Sequence, residues 1–299
     1  MGISLIRTKV EAGNVAIHWI GQGGFVLKGH VGPTIYIDPY LSDSCNADGN
    51  CARLVEIPIK PKDVQLELLC LTHDHTDHTD PLTVPHILQQ NPNAKVICPP
   101  ASTRHLIKLG AKPHQITTVT PGEQVQCDGV TVHVVAAEHS EDSVGFVFAF
   151  DSGIQDEEGP HVYITGDTEY NDGLSSSVQD LEPDVLLVPI NGRLGNMNAE
   201  SAAKLTSEIL PIEVIPMHFG MFESNTEDPA VFVRHLGETL TNGQTVKPII
   251  MRHNSTHIFS GGDDAHGRKA HKLQRAERAR KARASHEHHR GGHGPTSIR

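Results

Sequence analysis

The sequence predicts an α/β protein in which two mixed β-sheets pack face to face with helices on the outside. Extended apolar runs recur from about residue 15 to residue 251. They fall into two β-rich blocks, each followed by helical patterns, and no break long enough for a domain linker appears before Gly261. A sheet covered by helices on one face still has a second apolar face to bury, and a second sheet satisfies it.

The first block opens with strands expected at 15–20, 24–28 and 34–38, separated by Gly-rich turns. A loop through Cys45 and Cys51 leads by Pro58 and Pro61 into a strand at 66–71. Strand and helix then alternate: helices at 81–90 and 102–109, strands at 95–98 and 116–119. The second block has strands at 124–127, 130–136 and 144–150, rich in valine and phenylalanine, with Asp128-Gly129 as a hairpin turn. Further strands are expected at 161–165, 184–189, 213–216 and, last, 246–251, with helices at 199–209 and 229–240. Asn198 stands where a helix N-cap would.

Composition excludes several classes. The chain has 299 residues, 37% hydrophobic and 20% charged, and no apolar run approaches the roughly 18 residues of a membrane span. Met1-Gly2-Ile3-Ser4-Leu5-Ile6-Arg7 lacks a secretory apolar region, and Ile6 stands where a myristoylation signal has Ser or Thr, so a cytoplasmic location is expected. Five cysteines, an odd count, argue against a disulfide-stapled secreted domain. Cys70 and Cys98 fall in apolar runs and read as core, whereas Cys45 and Cys51 flank a polar loop and are either a pair or two unrelated thiols.

Charge divides the chain into a domain at 1–261 and a basic, His-rich tail at 262–299. Residues 264–299 hold ten Lys or Arg, three Asp or Glu and six His, a balance of +7, against −18 for residues 1–263. The tail reads as solvated and flexible, with helical composition in its middle but almost no apolar face. Contact with nucleic acid or another polyanion, and loose metal capture by His286, His288 and His289, are its competing readings. Nucleic-acid binding is confined to this tail, because an acidic body repels it.

The chemistry sits in Thr72-His73-Asp74-His75-Thr76-Asp77-His78, directly after an apolar strand. In extended backbone His73 and His75 project to one side, while Asp77 and His78 turn toward a neighbouring point, so one loop can feed two adjacent cations. Imidazole and carboxylate together suit divalent zinc, and manganese also accepts this mix. Such a centre needs further ligands, and His139, Asp167 in Gly166-Asp167-Thr168, and His218 each follow an expected strand. Taken singly, each is equally a surface histidine, a turn residue or a packing histidine.

These residues, with Trp19-Ile20-Gly21, Asp38 and Pro216-Met217-His218-Phe219, resemble the metallo-β-lactamase superfamily of metal-dependent hydrolases over about residues 14 to 255. Pro121-Gly122-Glu123, Asp167-Thr168-Glu169-Tyr170 and Met197-Asn198-Ala199-Glu200 fall in the order seen in its L-ascorbate-6-phosphate lactonase branch. The resemblance implies an αββα sandwich with the site on one edge. It implies His73, His75 and His139 on a first metal, Asp77, His78 and His218 on a second, Asp167 between them, and Asp38 steadying the histidine loop. The diiron members have Glu where this chain has His75, so hydrolysis is expected rather than redox chemistry.

Two divalent ions, zinc or manganese, about 3.5 to 4 Å apart would share a water and lower its pKa toward neutrality. Asp77 and Asp167 are the expected catalytic carboxylates, with the resulting hydroxide attacking a lactone or ester, such as a sugar-phosphate lactone. A phosphodiesterase is the alternative, and a non-catalytic metal- or nucleic-acid-binding protein the third reading. Arg193 and Arg252, with Lys28 behind them, are candidate contacts to a small, negatively charged substrate. Trp19, the one tryptophan, reads as core. A homo-oligomer is compatible with the branch resemblance.

Overall fold

A computed structural model describes residues 9–261, apart from Asn50 and Asn242. In chain order its elements are β1 (Asn14–Gly21), β2 (Gly24–Gly29), β3 (Ile35–Ile37), β4 (Leu68–Cys70), α1 (Val84–Gln90), β5 (Lys95–Cys98), α2 (Pro100–Lys108), β6 (Ile116–Thr118), β7 (Gln124–Cys127), β8 (Val130–Ala136) and β9 (Val144–Asp151). They continue with β10 (Glu158–Ile164), α3 (Gly173–Ser177), β11 (Val185–Pro189), α4 (Ala199–Ile209), β12 (Glu213–Met217), α5 (Pro229–Thr239), β13 (Lys247–Pro248) and β14 (Ser255–Ser260).

The strands form two seven-stranded sheets, ordered β14-β1-β2-β3-β4-β5-β6 and β13-β12-β11-β10-β9-β8-β7. Alternation along the strands explains why they stack. On β8, Val130, Val132 and Val134 face the other sheet, as do Phe146, Phe148 and Phe150 on β9; they meet Ile17, Phe25, Leu27 and Ile37 in one shared core. Outward-facing Tyr36, Leu69 and Val96 of the first sheet pack on Val84, Ile87 and Leu88 of α1 and Leu106 of α2. Outward-facing Val147, Tyr163 and Leu186 of the second sheet pack on Leu174 of α3, Leu205 of α4 and Phe232 of α5. The predicted αββα layering is the one observed.

Local signals hold where the expected chemistry is present. Asn198 caps α4, its side chain accepting from Ser201 N at 2.9 Å, and Cys127 pairs with Val130 across the Asp128-Gly129 turn. The last strand was misplaced. Of the expected run 246–251 only Lys247 and Pro248 pair, with Glu213 and Val214, and proline brings no N–H to extend the ladder. The chain then crosses to the first sheet, where β14 pairs antiparallel with β1 from Ser255↔Trp19 to Ser260↔Asn14. Its mixture of Ser, Thr, His, Ile and Phe masked the alternation. Cys45 and Cys51 are both free thiols packed against Tyr40, Met221 and Phe222. The tail expected at 262–299 lies outside the described residues.

Candidate metal centre

Every candidate ligand comes from a loop at the end of a strand: Asp38 after β3, the histidine loop after β4, His139 after β8, Asp167 after β10 and His218 after β12. Parallel strands deliver their C-terminal ends to one edge, and β8, separated from β10 by the antiparallel β9, runs the same way as β10, so residues far apart in sequence arrive together. β3 and β4 are such neighbours, with Ile37 opposite Cys70. Asp38 accepts from Thr72 N at 2.8 Å and Thr72 Oγ1 at 2.5 Å, which fixes the start of the histidine loop. His75 O accepts from His78 N at 3.0 Å and Thr79 N at 2.7 Å, winding the loop into a turn, and the His78 ring lies with its centroid 4.0 Å from that of His73.

The side chains gather in two groups. In the first, His75 Nδ1 lies 3.0 Å from both His73 Nε2 and His139 Nε2. His139 is aimed by its other nitrogen, 2.9 Å from the carbonyl of Gly195. In the second, Asp77 Oδ2 lies 3.7 Å from His78 Nε2 and 3.6 Å from His218 Nε2. Asp167 stands between the groups, with Oδ1 3.4 Å from His78 Nε2 and Oδ2 3.1 Å from His218 Nε2 and 3.8 Å from His139 Nε2. Asp38 also lies close to His73 and His78. Its oxygens are already engaged by Thr72 and, at 2.7 Å, by His78 Nδ1, which makes it a support for His78 rather than a ligand.

Electrostatics separate the two groups. Burial, reinforced by the neighbouring imidazoles, holds His73 well below the usual histidine range, and burial with His139 lowers His75. These rings present neutral lone pairs, the form in which imidazole binds a metal. Burial also disfavours charge on His78 and His218, yet the carboxylates of Asp167 and Asp77 prevail. His78 is raised well above its ordinary value and His218 is pushed up to about 9. Burial likewise opposes ionisation of Asp77 and Asp167, but His78 and His218 hold both below the usual carboxylate range.

The donor set fits divalent metal ions. His78 Nε2 and Asp167 Oδ1 are buried, face each other and have no hydrogen-bond partner. Buried ligand atoms whose nearest polar neighbour is each other, at 3.4 Å, are poorly satisfied, and a cation would satisfy both. Two residues that sequence reasoning missed complete the arrangement. Gln22 Nε2 donates to Asp77 Oδ2 at 3.0 Å, and Asn196 Nδ2 donates to Asp167 Oδ2 at 2.8 Å. The cluster Gly21-Gln22-Gly23-Gly24 was the available signal. A Cβ on Gly23 would lie 2.7 Å from Cε1 of His78, so only glycine lets this loop close over the ring.

Of the expected substrate contacts, Arg193 is exposed in the loop whose Gly195 and Asn196 hold His139 and Asp167. Arg252 is not brought to the centre. It is exposed in the turn before β14, where its carbonyl accepts from Ser255, and it makes no hydrogen bond or ion pair to the cluster among the described residues. Trp19 is buried, donating from Nε1 to Gln22 O at 3.0 Å and packing on Phe219 with ring centroids 4.8 Å apart.

Comparison with known proteins agrees with this geometry. The family model described as the beta-lactamase superfamily domain matches residues 16–218, from β1 through the last residue of the cluster. The chain is 28% identical over 257 residues to a UPF0173 metal-dependent hydrolase of Archaeoglobus fulgidus, covering 82% of this chain and 99% of that protein. It is 26% identical over 219 residues to a UPF0173 metal-dependent hydrolase of Thermoplasma acidophilum, covering 73% and 89%. In fold it is similar to the metallo hydrolase Igni18 of Ignicoccus hospitalis, with a TM-score of 0.61 at 22% identity over 82% of this chain and 98% of that one. Two sheets of this topology, a histidine and aspartate cluster able to bind metal, and a family match that spans both assign the chain to the beta-lactamase superfamily, among its metal-dependent hydrolases.

Proposed function

We propose that the protein hydrolyses a small lactone or carboxylic ester with two divalent metal ions, zinc or manganese, held at this centre. The carrying observation is the convergence of the His73, His75, His139 group and the Asp77, His78, His218 group on Asp167, with His78 Nε2 and Asp167 Oδ1 facing each other at 3.4 Å without a hydrogen bond. Held by these residues, two such ions would supply an acidified water and Lewis-acid polarisation of a carbonyl. Asp77, held by Gln22 at 3.0 Å, would help hold the second ion and orient the attacking water. Asp167, fixed by Asn196, keeps the two groups in register. Arg193, exposed in the loop that carries Gly195 and Asn196, is the candidate partner for an anionic substituent of the substrate, which keeps a sugar-phosphate lactone within this reading.

The acidity of the body favours an acyl centre over a phosphodiester of nucleic-acid type, because a charge of −18 over residues 1–263 repels polyanions. A reducing, cytoplasmic setting accompanies the proposal, on the strength of five cysteines in odd number. The test is metal analysis of protein purified without added metal, then a panel of lactones, esters and bis(p-nitrophenyl) phosphate on the same sample. Lactone or ester turnover that follows metal content is the expected result. Cleavage of the phosphodiester alone would replace the acyl substrate with a phosphoryl one, and two equivalents of metal with no turnover of either would overturn the catalytic reading.

A further inference from the structure

The end of the sandwich remote from the metal centre carries an open trough on the outer face of the second sheet. Its floor is a row of directly opposed residues, Gln126, Thr131, Ala149 and His161, on β7, β8, β9 and β10. The helical layer covers the neighbouring Val135, Val147 and Tyr163 through Leu174 and Val178, but not this row. The small side chain of Ala149 leaves a cavity of about 350 Å³, walled by the β9–β10 connection with Asp151, Ser152, Glu157 and Glu158. Asp151, Asp156, Glu157 and Glu158 are all exposed along that connection. Asp151, Asp156 and Glu157 form no ion pair with a lysine or arginine among the described residues.

The described chain ends beside these acids. Gly261 N donates to Gly13 O at 3.1 Å, and Gly13 N donates to Ser152 O at 2.7 Å, so the residue that leads into the C-terminal segment is one strand away from the trough wall. That segment is the one strongly basic stretch of the sequence, with ten Lys or Arg and three Asp or Glu in residues 264–299. At roughly 3.3 to 3.6 Å per extended residue, its first dozen residues suffice to cross the trough. Tethering also places its cations near the acids at an effective concentration in the millimolar range, so individually weak pairs can act together.

We propose that the basic C-terminal segment, residues 264–299, docks in cis on this acidic trough, its guanidinium and ammonium groups pairing with Asp151, Asp156 and Glu157. Docking would shield the segment's charge, so the same acids that hold it would limit its capture by nucleic acid or other polyanions.

The test is zero-length carbodiimide cross-linking of the full chain, read by peptide mass spectrometry. Amide bonds from Lys269, Lys272 or Lys281 to Asp151, Asp156, Glu157 or Glu158 are expected, at a yield independent of protein concentration. The yield should fall at least about fivefold near 1 M salt, where the screening length shrinks to about 3 Å. The full-length double variant Asp156→Asn/Glu157→Gln changes only exposed side chains, and unchanged circular dichroism would verify its fold. It should lose these cross-links and bind a short single-stranded oligonucleotide at least about threefold more tightly in fluorescence anisotropy at about 0.1 M salt. Cross-links scattered evenly over the acidic surface, or none, would overturn the proposal. So would a yield that rises with protein concentration, which would assign the trough to the tail of a second copy, or an oligonucleotide affinity unchanged in the double variant.

Discussion

Asp38 and His78 lie 40 residues apart in sequence and are joined by a 2.7 Å hydrogen bond from Nδ1 to Oδ2, with both side chains fully buried. The bond exists because β3 and β4 run side by side, and it turns His78 Nε2 toward Asp167. Asp38→Asn keeps the shape but removes the carboxylate. Changes of this kind cost about 10- to 100-fold in metal affinity. Titration with a competing chelator should show a loss of that size, and unchanged affinity would remove Asp38 from the site.

His73→Ala should abolish binding at the His73, His75, His139 group and reduce turnover by more than about 100-fold, since even the hydrogen-bond partners of ligands matter at that level. Circular dichroism should match the parent. Turnover retained in this variant would place the chemistry elsewhere.

Gly23→Ala tests the closeness of the β1–β2 loop to His78. A methyl group 2.7 Å from Cε1 must displace the ring or the loop, at a cost of about 1 to 3 kcal/mol in stability. Bound metal should drop from two equivalents to one, with the His73, His75, His139 group still loaded. A full complement in this variant would show that the loop yields without disturbing His78.

The carboxylates hold His78 and His218 in the protonated form near neutrality when no metal is present, His218 up to about 9. Metal ligation requires the free lone pair, so binding must expel these protons. Calorimetric titration at pH 7 in buffers of different ionisation enthalpy should report release of one to two protons as the second equivalent binds, and the affinity of that equivalent should rise with pH. Binding without proton release would exclude His78 and His218 as its ligands.

Glu213 ties the two sheets together, with Oε2 2.6 Å from His257 Nε2 on β14 and Oε1 2.9 Å from Lys247 Nζ on β13. Burial would raise its carboxyl group, but the hydrogen bonds from His257 and Lys247 prevail and lower it. A carboxyl lowered in the folded state adds stability above its unfolded pKa of about 4.3 and loses it as pH falls through the folded value. Thermal unfolding from pH 7 down to pH 3 should therefore show Glu213→Gln less stable than the parent at pH 7, with the gap closing in acid. A gap constant across that range would deny the carboxylate this role.

Most strands were legible because a side-chain period of two is a local property: Val130, Val132 and Val134 announce a buried face without knowledge of what they meet. The metal loop was legible for a similar reason, since three histidines and two aspartates within seven residues need no partner to be conspicuous. β14 was not, because its residues alternate weakly and it stands as an edge strand only through its pairing with β1. Asn196 was invisible as well, and the glycines around Gln22 mark a close-packed loop without indicating which carboxylate Gln22 would reach.

The sequence by itself determined the layered fold and the candidate ligand types, since periodicity and residue chemistry are local. Tertiary structure decided that Asp167 stands between two groups of imidazoles, that Gly23 must leave room for His78, and that the chain emerges at Gly261 beside an acidic trough. Those outcomes depend on where strand ends and loops converge in space, and that is fixed only when the two sheets close on one another.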